Sequence, residues 1–153
     1  MSAGIEKDFF ILRQMQIGRT LSLENGASEV LTFLRERGCV LGIASNSQAY
    51  TLRELREHFA PAGLSLDLFD PDVCFWSFAH GFSKPDPHVF QMLTARLEAR
   101  GITPGETLMV GDRLDNDIEP ARAFTWRTWL LTSSPTTSEP GQGTFAQLLK
   151  WIK

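Results

Sequence analysis

Tyrosine occurs once and cysteine only twice in the 153 residues of this chain. The two cysteines, Cys39 and Cys74, lie far apart, each inside an apolar segment, so there is no Cys-x-x-Cys metal or redox pair. The expectation is two buried thiols in a reducing, cytoplasmic setting. No apolar run approaches the roughly 20 residues of a membrane-spanning helix. The start, MSAGIEKDFF, has no basic segment followed by an apolar one, which argues against a secretory signal. Basic charge is not in excess either. A net charge of −3 and a pI near 5.6 give no support to a nucleic-acid or anionic-membrane surface, which needs clustered Lys and Arg. Neither GxGxxG nor GxxxxGK occurs, and GQG at Gly141 to Gly143 does not replace them, so dinucleotide and P-loop readings have little support. There are no internal repeats.

What is present is an ordinary globular composition, 42% hydrophobic and 22% charged, on a length suited to one domain. Short apolar runs alternate with amphipathic segments. Ser28 to Arg37 reads as a helix ended by Gly38. CVLGIA (Cys39 to Ala44) has the length and continuity of a strand buried on both faces. Gln48 to Phe59 reads as a helix with Leu52, Leu55 and Phe59 on one stripe. VCFW (Val73 to Trp76) is a second strand. Asp86-Pro87 is a strong helix start, an N-cap followed by proline at the first helical position; that helix runs toward Gly101. TLMVG is a third strand, Asp115 to Phe124 a helix, and RTWLL (Arg127 to Leu131) a fourth strand. A turn-rich loop, Thr132 to Thr144, leads to a final amphipathic helix with Phe145, Leu148, Leu149 and Ile152.

This alternation predicts an α/β fold: a three-layer, Rossmann-like parallel sheet with helices on both faces. Ligands in such sheets bind beyond the carboxyl ends of the strands. The polar residues there are Ser45-Asn46-Ser47, Ser77 with Ser83-Lys84, and Asp112. IASNS offers a hydroxyl and backbone N–H groups at a strand-to-helix turn, a common grip for phosphate. SKPDP sets Lys84 beside Pro85, where it can neutralise phosphate or transition-state charge. GDRLDND puts Asp112 at a strand tip and Asp117 on the first turn of the next helix, hard oxygen donors of the kind that suit Mg²⁺. Taken singly, each has a plainer reading: Ser45 as a turn residue, Lys84 as a solvated lysine, Asp117 as a helix-start acid. Their placement at consecutive strand ends favours the joint one. Asp115 reads as a solvated helix-start residue, and His58, His80 and His88 show no metal-ligand spacing.

LGIASNS, GFSKPDPHVF and LMVGDRLDNDI resemble motifs two, three and four of the haloacid dehalogenase superfamily of hydrolases, and GASEVLTFLRERG resembles the helix before motif two. The resemblance spans about Gly26 to Leu131 and is nearest to the phosphatase-like branch with a helical cap inserted early in the chain. It implies a Mg²⁺-dependent phosphohydrolase acting on a small phosphorylated molecule. By this resemblance Ser45 and Asn46 bind phosphate, Lys84 stabilises nucleophile and phosphate charge, Asp112 ligates Mg²⁺, and Asp117 supports the metal through water or orients Lys84.

Two departures stand out. Where the family usually has Ala-Gly, this chain has Phe124-Thr125, so the helix end lacks the glycine that adopts a left-handed conformation easily. More important, the family's DxDxT-type nucleophile motif is missing: before Gly26 the acids are Glu6, Asp8 and Glu24, with no Asp-x-Asp. Residues 1–25 are therefore either the remnant of a cap, in a truncated gene product, or a degenerate first strand in which FFIL occupies the central position and Gln14 and Gln16 stand in for the acids, a pseudoenzyme. Residues 26–153 form the core. The expectations that follow are no or very weak activity, weak Mg²⁺ binding, and either an open sheet edge that a homodimer could cover or a non-catalytic phosphate-binding module.

Overall fold

The structure, a computed structural model, describes residues 22–135 and 140–153. The readings made for Phe9 to Gln16 lie outside those residues.

Helix α1 (Ala27–Glu36) starts after Gly26, and its chain reverses at Gly38. Strand β1 (Ala44–Ser45) leads into α2 (Thr51–Phe59). Strand β2 (Phe75–Trp76) runs directly into the single turn α3 (Ser77–His80). Helix α4 (Pro87–Glu98) begins as the sequence predicts: Asp86 is its N-cap, accepting from the His88 N–H, with proline next. Strand β3 (Leu108–Gly111) is followed by a π-helical turn (Leu114–Ile118) and α5 (Glu119–Ala123). Strand β4 covers Arg127–Leu131, as expected from the sequence. A short β5 (Gln142–Gly143) and helix α6 (Phe145–Ile152) complete the described chain.

All strand pairs are parallel, but they form two sheets. β1 pairs with β2, and β4 lies between β3 and β5, with Val110 of β3 opposite Trp129 of β4. Among the described residues no strand joins β1 to β3. Side-chain alternation along β3 fixes the layers. Met109 packs on one side with Phe75, Val89, Phe90, Leu93 and Trp126, beneath α4 and α5. Leu108 and Val110 pack on the other with Val30, Trp129 and Leu148, beneath α1 and α6. Helices thus cover both faces, and the first cluster, which also holds Ala44 of β1, packs the two sheets together.

Three local expectations are corrected. The strand predicted for Cys39 to Ala44 is paired as a strand only at Ala44–Ser45. Before it, the Leu41 and Ile43 carbonyls accept the N–H groups of Asp70 and Phe75, while Cys39, Val40 and Gly42 are exposed. Helices bury the two faces of such a strand and neighbouring strands cover its two edges; among the described residues only β2 flanks this segment, which leaves its other edge without a partner. For the same reason only Cys74 of the two thiols is buried. Finally, the helix expected from Asp115 opens with a π turn, in which Ile118 N–H reaches back to the Arg113 carbonyl.

Candidate active site

Three strand ends converge. After β1, the Asn46 side chain is bound to the main chain of Lys84 at both ends: Nδ2 donates to the Lys84 carbonyl (2.7 Å), and Oδ1 accepts from the Lys84 N–H (2.8 Å). After β2, the Ser77 hydroxyl accepts from the Ser47 N–H (2.8 Å) and donates to the Ser47 carbonyl (3.1 Å). These two clamps set the turn at Ser45 against the loop that carries Lys84.

After β3, the Lys84 ammonium donates to Asp117 Oδ1 at 2.5 Å. The side chains of this ion pair are 10% and 6% exposed, so it is largely withdrawn from water. Asp117 Oδ2 accepts from the Arg113 N–H (3.1 Å), so both carboxylate oxygens are engaged. The π turn delivers Asp117 inward over Gly111, where an added Cβ would lie 2.5 Å from Asp117 Cβ. Glycine at 111 is thus what lets the carboxylate fold back over the strand tip.

Asp112 is exposed at that tip. Asp115 is exposed too and pairs with Arg113 (2.7 Å), which holds its carboxyl below the usual range; this agrees with its reading as a solvated helix-start acid. Among the described residues no three His, Cys, Asp or Glu side chains gather as a metal-holding group. Asp112 offers one free carboxylate, and Asp117 is committed to Lys84. Among the described residues the carboxylates at this end are thus one exposed, Asp112, and one buried and engaged, Asp117.

Ser45, Asn46 and Ser47 line a cavity of about 410 Å³ between the β1 turn, α2 and the β2 end. All of the residues singled out from the sequence (Ser45, Asn46, Lys84, Asp112 and Asp117) fall at the carboxyl ends of β1, β2 and β3. In this state Asn46 spends its amide on the Lys84 main chain, and Asp117 spends Oδ1 on the Lys84 ammonium and Oδ2 on the Arg113 N–H. Ser77, named in the sequence for its place after the second strand, is the residue that clamps Ser47. One neighbour of the site escaped sequence reading: Glu54, a buried acid on the cavity wall, looks in sequence like any surface acid of an amphipathic helix. His80 stacks on Phe75 (ring centroids 4.7 Å apart) and holds no ligand position.

Residues 4–125 match the family model described as haloacid dehalogenase-like hydrolase. No curated protein gives a significant match. Among solved structures, a haloacid dehalogenase phosphatase from Thermococcus onnurineus is similar at a TM-score of 0.66 and 25% identity, over 85% of this chain and 58% of that one. A predicted phosphoglycolate phosphatase from Haemophilus somnus superposes at a TM-score of 0.69 and 21% identity, over 96% of this chain and 64% of that one. The Bacillus subtilis hydrolase YfnB, bound to magnesium, gives 0.65 and 21%, over 84% and 55%. This chain thus spans between about half and two thirds of the length of these three.

Proposed function

The chain belongs to the haloacid dehalogenase-like hydrolases, and on that premise we propose that it forms the phosphate-binding and charge-neutralising half of a phosphohydrolase site. The observation that carries this reading is the convergence of the Ser45 turn, Lys84 and Asp117 on one end of two parallel sheets, with Lys84 fixed by Asn46 at its backbone and by Asp117 at its ammonium. A phosphomonoester seated on the Ser45 turn accepts from its hydroxyl and backbone N–H groups, with Asn46 beside it. Lys84 supplies a fixed positive charge close by, which favours the dianion and the charge that develops as a phosphoryl group transfers. Asp117 acts through Lys84, as its positioning residue. Mg²⁺, which one structural neighbour carries, would be held by Asp112, weakly by that single carboxylate, and would supply positive charge to offset that of the phosphate. No step is assigned to it.

The chemistry stops short at the nucleophile. The sequence before Gly26 holds no Asp-x-Asp. Glu6-Lys7-Asp8 does space two acids by one residue, but it precedes the apolar run FFIL, whereas the family's nucleophile motif belongs to the strand itself. This chain by itself is therefore a binding half-site with no or very weak turnover. The same absence favours the second reading, a non-catalytic phosphate-binding module on the same scaffold.

The test is turnover of p-nitrophenyl phosphate with and without Mg²⁺, together with calorimetric titration of inorganic phosphate. The expected result is phosphate binding that weakens in Ser45→Ala, without turnover above background. Mg²⁺-dependent turnover that disappears in Asp112→Ala would overturn the assignment of inactivity. Absence of any phosphate binding would overturn the half-site itself.

A further inference from the structure

Two polar atoms beside the Ser45 turn are buried without a partner: Oγ of Ser47 and Oε1 of Glu54. Glu54 is 5% exposed and, with Asp117, makes up the buried acids among the described residues. Their surroundings differ. Asp117 has the Lys84 ammonium on one oxygen and the Arg113 N–H on the other. Glu54 Oε1 has no donor among the described residues. The nearest basic residue in sequence, Arg53, is spent on Glu57 at the exposed surface of α2. A buried carboxylate oxygen without a donor costs stability, and an apolar side chain of similar size would avoid that cost. Its presence is therefore better explained by a donor that arrives from outside.

Both orphan atoms belong to residues lining the 410 Å³ cavity that also contains Ser45, Asn46 and Ser77. Among the described residues no Lys, Arg or His lines it. Its size suits a small metabolite. One end carries the phosphate-gripping turn, and the wall contributed by α2 carries an unanswered carboxylate.

Resting on the phosphate reading of the Ser45 turn, we infer that this cavity receives a small phosphomonoester bearing an ammonium group. The phosphate sits on the turn; the Glu54 and Ser47 side chains rotate toward the cavity, so that the ammonium donates to Glu54 Oε1 and the Ser47 hydroxyl accepts a second of its protons. An ammonium brings three donors and the opposite charge, and bonds between charged partners are the stronger class. Glu54 is thus the residue that sets which ester binds, distinct from the groups that hold phosphate.

Calorimetric titration of the full chain with O-phosphoethanolamine, ethyl phosphate and inorganic phosphate tests this. O-Phosphoethanolamine is expected to bind about tenfold or more tightly than ethyl phosphate, the size of effect that a charge-assisted hydrogen bond gives. Glu54→Gln is expected to abolish that preference while leaving the affinity for ethyl phosphate unchanged. Equal affinities in the parent chain, or a preference that survives Glu54→Gln, would overturn the ammonium site. If Glu54→Gln fails to fold, the two esters on the parent chain decide the matter alone. Silence from all three probes would overturn the phosphate reading and this inference together, whereas phosphate binding without an ester preference would overturn only the latter.

Discussion

The side-chain amide of Asn46 takes up both main-chain polar groups of Lys84, donating to its carbonyl at 2.7 Å and accepting from its N–H at 2.8 Å. An asparagine is suited to this, since its amide presents a donor and an acceptor side by side. The loops after β1 and β2 are tied together by one residue.

Replacing Asn46 with Ala removes both bonds and should cost about 1–3 kcal/mol, at roughly 0.5–1.5 kcal/mol for each bond. Asn46→Asp keeps the acceptor but sets a carboxylate oxygen against the Lys84 carbonyl, and should cost nearly as much. Urea unfolding midpoints measure both. A parent-like midpoint for Asn46→Ala would show that the clamp contributes nothing to stability.

The Lys84–Asp117 pair lends itself to a double-mutant cycle. Breaking a largely buried pair leaves a charge without its partner, so Lys84→Met and Asp117→Asn should each destabilise by about 3–5 kcal/mol. The double variant Lys84→Met with Asp117→Asn should lose clearly less than the sum of the two, because no charge is then stranded. Additive losses would show that the two groups do not interact in solution.

Thr125 sits at a φ of 61°, the one non-glycine residue with positive φ among the described backbone. A β-branched side chain is poorly suited to that region, and such a conformation costs on the order of 1–3 kcal/mol. Thr125→Gly relieves it but adds freedom to the unfolded chain. A net gain of about 0.5–1 kcal/mol, seen as a melting temperature raised by a few degrees, is expected. A lowered melting temperature would mean that the threonine is not strained there.

Arg100 binds Asp70 and Asp72, ahead of β2 and away from the site. Hydrogen bonding from Arg100, opposed in part by desolvation, holds the Asp70 carboxyl below its usual value of 3.8. A depressed folded pKa contributes stability that is fully present above the usual value and is lost as pH falls through the folded one. The stability difference between the parent chain and Arg100→Leu should therefore be constant near neutral pH and shrink below about pH 4. Unfolding curves across that range measure it, and a difference that grew with acidity would contradict the assignment.

Features encoded locally were legible in the sequence. The Asp86-Pro87 helix start needs only its own few residues; the awkward turn at Thr125 was marked in advance by setting Phe124-Thr125 against the Ala-Gly usual in the family that the sequence resembles. RTWLL is flanked by strands in the structure and matches the expected limits. The polar residues at strand ends were found because a parallel sheet collects them at one end whatever its details. What depended on distant neighbours was less visible. The burial expected for Cys39 to Ala44 presumes a strand on its far side, which no property of those six residues can guarantee. Glu54 carries no mark in the sequence, because a buried acid differs from a surface acid only through what folds over it. The π turn before α5 is likewise set by how Asp117 must reach Lys84.

Lys84 hangs from the β1–β2 side of the molecule through Asn46, and its ammonium is held by the residue that follows β3. The ion pair is thus a latch between two sheets that no strand pairing joins among the described residues. Occupancy and cohesion then draw on one reservoir of free energy. An anion that recruits Lys84 must either loosen the latch or add a third party to it, and the sign can be read far from the ligand. If the anion joins the pair, amide exchange slows at Phe75 and Met109 on opposite sides of the junction; if it competes for the lysine, exchange there quickens as the ligand is added.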